Sequence, residues 1–162
     1  MQISEGGNVF KDAKGQPRTQ RINLADIVPT VRWLETVAGL ELENNMLGST
    51  GVKATSGDLD LAVDSTAVDK NTFAEHLATW VREQGQDPRD WIRRSGTAVH
   101  FLTPILGDPR RGYVQTDFMF VPKPGYAKFM MRTDPASAYK GVTRNVLLSS
   151  LAKAQGFKIN TT

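Results

Sequence analysis

The apolar positions of this chain recur with two different spacings, and the longer spacing predicts helices. Apolar residues return every third or fourth position from 24 to 40, which is typical of an amphipathic helix that ends at Gly39. A second stripe follows Asp69, a residue type that favours helix N-caps, and continues to Gly85. Its members are Phe73, Leu77, Trp80 and Val81. We therefore predict helices over 24–40 and from Asp69 to Gly85.

Short runs with high apolar content predict strands, and the segments between them carry turn residues. The hairpin is the clearest case, because "AVHFLTPIL" and "YVQTDFMFV" flank the turn sequence "GDPRRG". Residues 49–57 and 85–90 are predicted as a turn and a loop, and helical or strand-like pieces are predicted over 126–132, 143–154 and 157–160. The predicted strands are 45–48, 58–63, 98–106 and 113–121.

Together these elements predict an α+β fold, a small mixed β-sheet of four or five strands with helices packed on one face. The first 21 residues hold glycines, a proline and scattered charges, so we predict an extended arm or short hairpin there. The remaining residues, 22–162, are predicted to form a single domain.

The composition argues against a membrane-spanning protein and against a disulfide-bonded one. Apolar residues make up 40% of the 162 positions, enough for a core, and no apolar run approaches the ~20 residues that cross a membrane. The chain has no cysteine, and its first residues show no apolar signal-peptide core. We therefore expect a cytoplasmic protein without disulfides. The net charge of +3 favours anionic partners only weakly.

Two aspartates interrupt the apolar run "SGDLDLAVD". Alternate residues of a strand share a face, so Asp58 and Asp60 are expected to project together. Two such charges repel by about 4 kcal/mol at a protein-like effective dielectric, and a divalent cation is the commonest way to offset this repulsion. A third aspartate, Asp117, lies in the middle of the predicted strand 113–121.

The order Gly-Ser, Asp-x-Asp and a distant strand aspartate resembles the nucleotidyltransferase superfamily of the DNA polymerase beta type. The segments "RRGYVQTDFMFVPKPGY" and "TRNVLLSSLAKAQGFKIN" also resemble family X DNA polymerases, so the similarity spans roughly residues 22 to 160. The resemblance implies a single palm-like nucleotidyltransferase domain. The position two before the third aspartate is usually arginine in those polymerases and is Gln115 here.

Nucleotidyl transfer suits these residue types. Two metal ions can hold the attacking oxygen, the leaving oxygen and the triphosphate, and Mg²⁺ prefers carboxylate, water and phosphate oxygens. We expect Asp58 and Asp60 to bind two Mg²⁺ ions, or Mn²⁺, and Asp117 to bind one and prepare the acceptor hydroxyl. Gly48 and Ser49 are expected to cradle the triphosphate of ATP or another nucleotide.

Three further residues are weaker candidates for the nucleotide site. Lys53 is the nearest cation to the Gly-Ser turn. Tyr139 and Asn145 lie where the resemblance implies contacts to the incoming base and sugar. In contrast, we expect His100 to be a hydrogen-bonded or surface histidine and not a ligand, and the three tryptophans to be packing residues.

The function expected from these features is a minimal metal-dependent transfer of a nucleoside monophosphate from an NTP or dNTP to an acceptor hydroxyl, with release of pyrophosphate. The acceptor stays open between a nucleic-acid end, a protein and a small molecule. One alternative is a small polymerase beta-like DNA polymerase that fills gaps or extends primers. Another is a catalytically silent module that binds nucleotide or protein. Weak nucleic-acid binding and no membrane partner are expected.

Overall fold

The computed structural model describes residues 8–48 and 50–125. The helices and strands are, in chain order, β1 (Ile22–Asn23), α1 (Leu24–Ala38), β2 (Thr55–Ser56), β3 (Asp58–Asp64), α2 (Lys70–Glu83), α3 (Pro88–Trp91), β4 (Ile92–Ser95), β5 (Ala98–Pro104) and β6 (Tyr113–Val121). Short 3₁₀ turns lie at Glu43–Asn45, Ile105–Gly107 and Pro109–Arg111. The predicted α+β class is confirmed.

The larger sheet has four strands in the order β3-β6-β5-β4. Strand β3 pairs with β6 in parallel, whereas β5 pairs antiparallel with both β6 and β4. The sheet is therefore mixed, as predicted, and the 98–106 and 113–121 segments form the predicted hairpin. Strands β1 and β2 form a separate two-stranded pair.

Both long helices contribute to the apolar core on one face of the four-stranded sheet. The ring of Phe73 on α2 contacts Phe118 and Phe120 on β6, with centroids 4.8 and 5.4 Å apart. Helix α1 adds Ile27, Val31 and Leu34 to the same core. Gly39, in the left-handed conformation, ends helix α1. Asp69 caps α2 by accepting a hydrogen bond from the Thr72 N–H. Trp33, Trp80 and Trp91 pack against one another or the core, as expected.

The other face of the sheet carries the acidic side chains, beside a small apolar cluster of Leu47, Ala62 and Val121. Side chains alternate between the two faces of a strand, and the positions that alternate with core residues of β3 and β6 include Asp58, Asp60 and Asp117. The segment before β1 covers part of this face. Its Phe10 is fully buried and lies 5.7 Å from the guanidinium of Arg93 on β4.

Several predicted elements differ from those observed. The predicted strand 45–48 is wrong, because Glu43–Asn45 form a 3₁₀ turn and Met46 makes only one isolated bridge, to Leu61. The chain turns immediately afterwards at Gly48, whose φ is +57°. The predicted turn 49–57 includes the short strand β2.

The predicted loop 85–90 overlaps α3, whose N-terminus Asp87 caps by accepting from the Arg89 N–H. Strand β4 was not predicted, because "IRRS" shows no apolar alternation. The elements predicted over 126–132, 143–154 and 157–160 lie outside the described residues.

Candidate metal centre

Strand pairing brings the three predicted aspartates together. Asp60 is directly opposite Asp117 in the parallel β3–β6 ladder, and Asp58 is opposite Gln115. Each aspartate offers one carboxylate oxygen, and these oxygens lie within 4.8 Å of one another. No second such group of histidine or acidic residues occurs within residues 8–48 and 50–125.

Burial and mutual repulsion disfavour full ionisation of this cluster. Burial, the charges of Asp58 and Asp117, and a hydrogen bond shared with Asp117 raise the pKa of Asp60 to about 8. Burial and the charge of Asp117 also raise the pKa of Asp58, while the Arg21 guanidinium opposes that rise. Without a cation, the cluster therefore retains a proton at neutral pH.

Asp117 is held by two hydrogen-bond donors on neighbouring strand positions. His100 Nδ1, on β5, lies 2.6 Å from Asp117 Oδ1, and the Gln115 side-chain amide donates to the same oxygen at 2.9 Å. The His100 and Asp117 side chains are only 12% and 14% exposed. His100 was expected to be a hydrogen-bonded or surface histidine, and both of its ring nitrogens do have hydrogen-bond partners. Its direct contact with a predicted metal ligand was missed, and only the register of the hairpin could have indicated it.

The Gly48 turn lies against the cluster. The Leu47 N–H donates to the Asp60 carbonyl at 2.7 Å, and the Asp60 N–H donates to the Thr50 hydroxyl at 3.0 Å. Both ends of the turn are therefore attached to the backbone of Asp60, and the positive φ of Gly48 is one that glycine adopts without strain. Ser49 lies outside the described residues.

Three other residues were predicted to contact the nucleotide. Lys53 is exposed in the loop before β2, and its role stays a prediction. Tyr139 and Asn145 lie outside the described residues.

A cation that sequence reasoning missed lies next to Asp58. Arg21 donates from Nε to the Thr55 hydroxyl at 2.9 Å and from Nη2 to the Thr55 carbonyl at 3.1 Å. These contacts bring its guanidinium over Gly57, where an added Cβ would approach Nη1 to 3.2 Å. A cleft of about 120 Å³ beside it is lined in part by Asn8, Gly57 and Asp58. Because Arg21 is 37 residues before Asp58 in the chain, no local motif identifies it.

The donor set fits a hard divalent cation. Opposed oxygen ligands of one Mg²⁺ ion are about 4.2 Å apart, slightly less than the 4.8 Å that encloses the three carboxylate oxygens. Two full charges at that separation repel by about 3 kcal/mol at an effective dielectric of ~20, and a bound dication would turn that repulsion into attraction. Carboxylate oxygens suit Mg²⁺, Mn²⁺ and Ca²⁺ better than softer metals.

Sequence comparisons leave the family open. No protein-family model matches the chain, and no curated protein matches its sequence. In addition, no helix within the described residues has the length and apolar character needed to cross a bilayer.

Proposed function

We propose that this protein is a metal-dependent nucleotidyltransferase of the polymerase beta type. It transfers a nucleoside monophosphate from an NTP or dNTP to an acceptor hydroxyl and releases pyrophosphate. The observation that supports the proposal most is the convergence of Asp58, Asp60 and Asp117 on one face of the sheet. Packing alone does not account for three carboxylates on adjacent strands with raised pKa values for two of them.

In this proposal the three carboxylates hold Mg²⁺ or Mn²⁺. When bound, the metal supplies positive charge that aligns the triphosphate and makes the acceptor hydroxyl more acidic. The acceptor oxygen attacks the α-phosphorus, the bond to the pyrophosphate oxygen breaks, and the acceptor loses its proton. In this proposal Asp117 receives that proton at Oδ2, which is supported by the hydrogen bonds from His100 and Gln115 both ending on Oδ1.

The turn that begins at Gly48 is the proposed triphosphate site. Its attachment to both the N–H and the carbonyl of Asp60 places it beside the metal ligands. Backbone N–H groups in such a turn can donate to phosphate oxygens. Ser49 and Lys53 stay candidates for this contact, and Arg21 joins them because its charge acts on Asp58.

The experiment that tests the proposal is an incubation of the full chain with each labelled NTP and dNTP, Mg²⁺ or Mn²⁺, and a panel of acceptors. The panel holds single-stranded, gapped and primed oligonucleotides, proteins and small hydroxyl compounds. We expect cation-dependent pyrophosphate release with at least one pair of substrates, and a primer-extension gel then separates a polymerase from other transferases. A complete lack of release would favour the silent binding module. A cytoplasmic location is part of the proposal and rests on the cysteine-free composition.

A further inference from the structure

A chain of hydrogen bonds crosses three strands and ends at the cluster. Ser95 Oγ on β4 lies 2.6 Å from His100 Nε2, and His100 Nδ1 lies 2.6 Å from Asp117 Oδ1. His100 and Asp117 are directly paired in the β5–β6 ladder. Directly opposed strand residues have neighbouring side chains on one face, so the backbone register itself aims the imidazole at the carboxylate.

The hydrogen-bonding partners of His100 show which of its ring nitrogens carries the hydrogen. Asp117 Oδ1 already accepts a hydrogen bond from the Gln115 amide, so the hydrogen between His100 and this oxygen is assigned to Nδ1. In a neutral imidazole Nε2 is then an acceptor, and the Ser95 hydroxyl donates to it. Ser95 therefore favours the tautomer of His100 that can donate to Asp117.

Gln115 supplies the second donor, and its orientation is also determined. The backbone N–H of Val9 donates to Gln115 Oε1 at 2.9 Å, so the amide NH₂ group faces Asp117 and donates to Oδ1. Two donors from two directions on one oxygen restrict rotation of the carboxylate. Neither of these two bonds occupies Oδ2.

We propose that His100 is a positioning residue that fixes the orientation of the Asp117 carboxylate, and that Ser95 fixes the tautomer of His100. The inference rests on the proposed function only in taking Asp117 as a metal ligand. Hydrogen-bonded partners of metal ligands commonly contribute 10- to 100-fold to metal affinity. In this proposal His100 acts through Asp117 and is not itself a metal ligand.

The first test does not require metal or activity. The chain has two histidines, and the second provides an internal reference, because His76 Nε2 lies 2.9 Å from the Val37 carbonyl. A carbonyl only accepts, so His76 carries its hydrogen on Nε2. Long-range ¹H–¹⁵N NMR of metal-free protein at pH 8 is expected to show opposite tautomers, Nδ1–H for His100 and Nε2–H for His76. A His100 ring with its hydrogen on Nε2 alone would overturn the proposal, because Nδ1 could not then donate to Asp117 and Ser95 could not donate to Nε2.

The second test measures Mn²⁺ affinity by calorimetry for His100→Leu, His100→Asn and the control His76→Leu. Asparagine places an amide donor near the position of Nδ1, whereas leucine does not. We expect a 10-fold or greater loss of affinity for His100→Leu, a loss within 3-fold for His100→Asn, and no change for His76→Leu. Equal affinities for His100→Leu and wild type, with both folded by circular dichroism, would refute the positioning role.

The two tests separate the inference from the proposed function. If the wild-type protein binds no Mn²⁺, the metal centre of the proposed function fails, and the NMR result alone still decides between the two tautomers. If Mn²⁺ binds and His100→Leu binds equally well, the metal centre stands and the role of His100 fails.

Discussion

Replacing Asp60 by asparagine is expected to stabilise the metal-free protein, by an amount that grows with pH. The raised pKa of Asp60 means that the folded state binds its proton more tightly than the unfolded state does. Below pH 3.8 the Asp60 carboxyl is protonated in both the folded and the unfolded state, so its ionisation does not affect the free energy of unfolding. As pH rises from 3.8 to about 8, the unfolded state gains the advantage of ionisation, and the fold loses about 1.4 kcal/mol per pH unit. Above about pH 8 the loss is constant.

The size of the expected stabilisation follows from this pH range. The ceiling is about 6 kcal/mol at pH 8, and we expect roughly 2–4 kcal/mol for Asp60→Asn because the buried amide keeps a desolvation cost of its own. Mg²⁺ should reverse the order of stability. A ligand at 1,000 times its Kd adds about 4.1 kcal/mol to the wild type, more than the advantage of the variant, which lacks one of the three carboxylates that hold the ion.

The assay is urea unfolding followed by tryptophan fluorescence between pH 5 and 9, with chelator and then with Mg²⁺. The matched control is Asp64→Asn at the end of β3, since Asp64 is an exposed carboxyl whose pKa is lowered by hydrogen bonds from Thr66. Its stability relative to wild type should not rise with pH. Parallel curves for wild type and Asp60→Asn across this range would refute the claim that burial and repulsion strain the cluster.

Three further predictions address the turn, the core and the charge. Gly48→Ala and Gly39→Ala place a Cβ at similar positive φ values, and each should lower the free energy of unfolding by about 1 kcal/mol. Only Gly48→Ala should weaken NTP affinity in calorimetry. Equal NTP affinities for the two variants would remove the Gly48 turn from the site. Phe118→Ala, beneath Asp117 in the core, should lower the free energy of unfolding by about 3–5 kcal/mol in urea titration; a loss below 1 kcal/mol would contradict the packing described. Binding to gapped DNA should be micromolar and strongly salt-dependent in fluorescence anisotropy, since Arg94 and Arg110 are already paired with carboxylates; nanomolar binding at physiological salt would favour the polymerase alternative.

The parts of the fold that follow from local pattern were predicted well. Strands β3 and β6 have strongly apolar cores interrupted by single aspartates, and both were recognised within a residue of their observed bounds. Helix α2 was predicted from its stripe and its Asp69 cap. Strand β4 was not predicted, because an edge strand with Arg93 and Arg94 carries no apolar alternation and is formed by pairing with β5.

The site was predictable only in part, for a related reason. Asp58 and Asp60 share a face through local alternation, and the sequence alone predicts that. Their meeting with Asp117 depends on the β3–β6 register, and the contacts of His100 and Arg21 depend on pairing and packing between distant segments. Local patterns carry no information on such distances, whereas the resemblance implied the aspartate cluster but not its hydrogen-bonding partners.

The measurement that tests the central claim most directly is Mg²⁺-dependent pyrophosphate release by wild type, Asp117→Asn and the control Asp64→Asn, under one set of substrates. We expect release by wild type and Asp64→Asn, and a loss of at least 100-fold in Asp117→Asn with its fold intact by circular dichroism. Turnover by Asp117→Asn within a few-fold of wild type would contradict the assignment of this cluster as the catalytic metal centre.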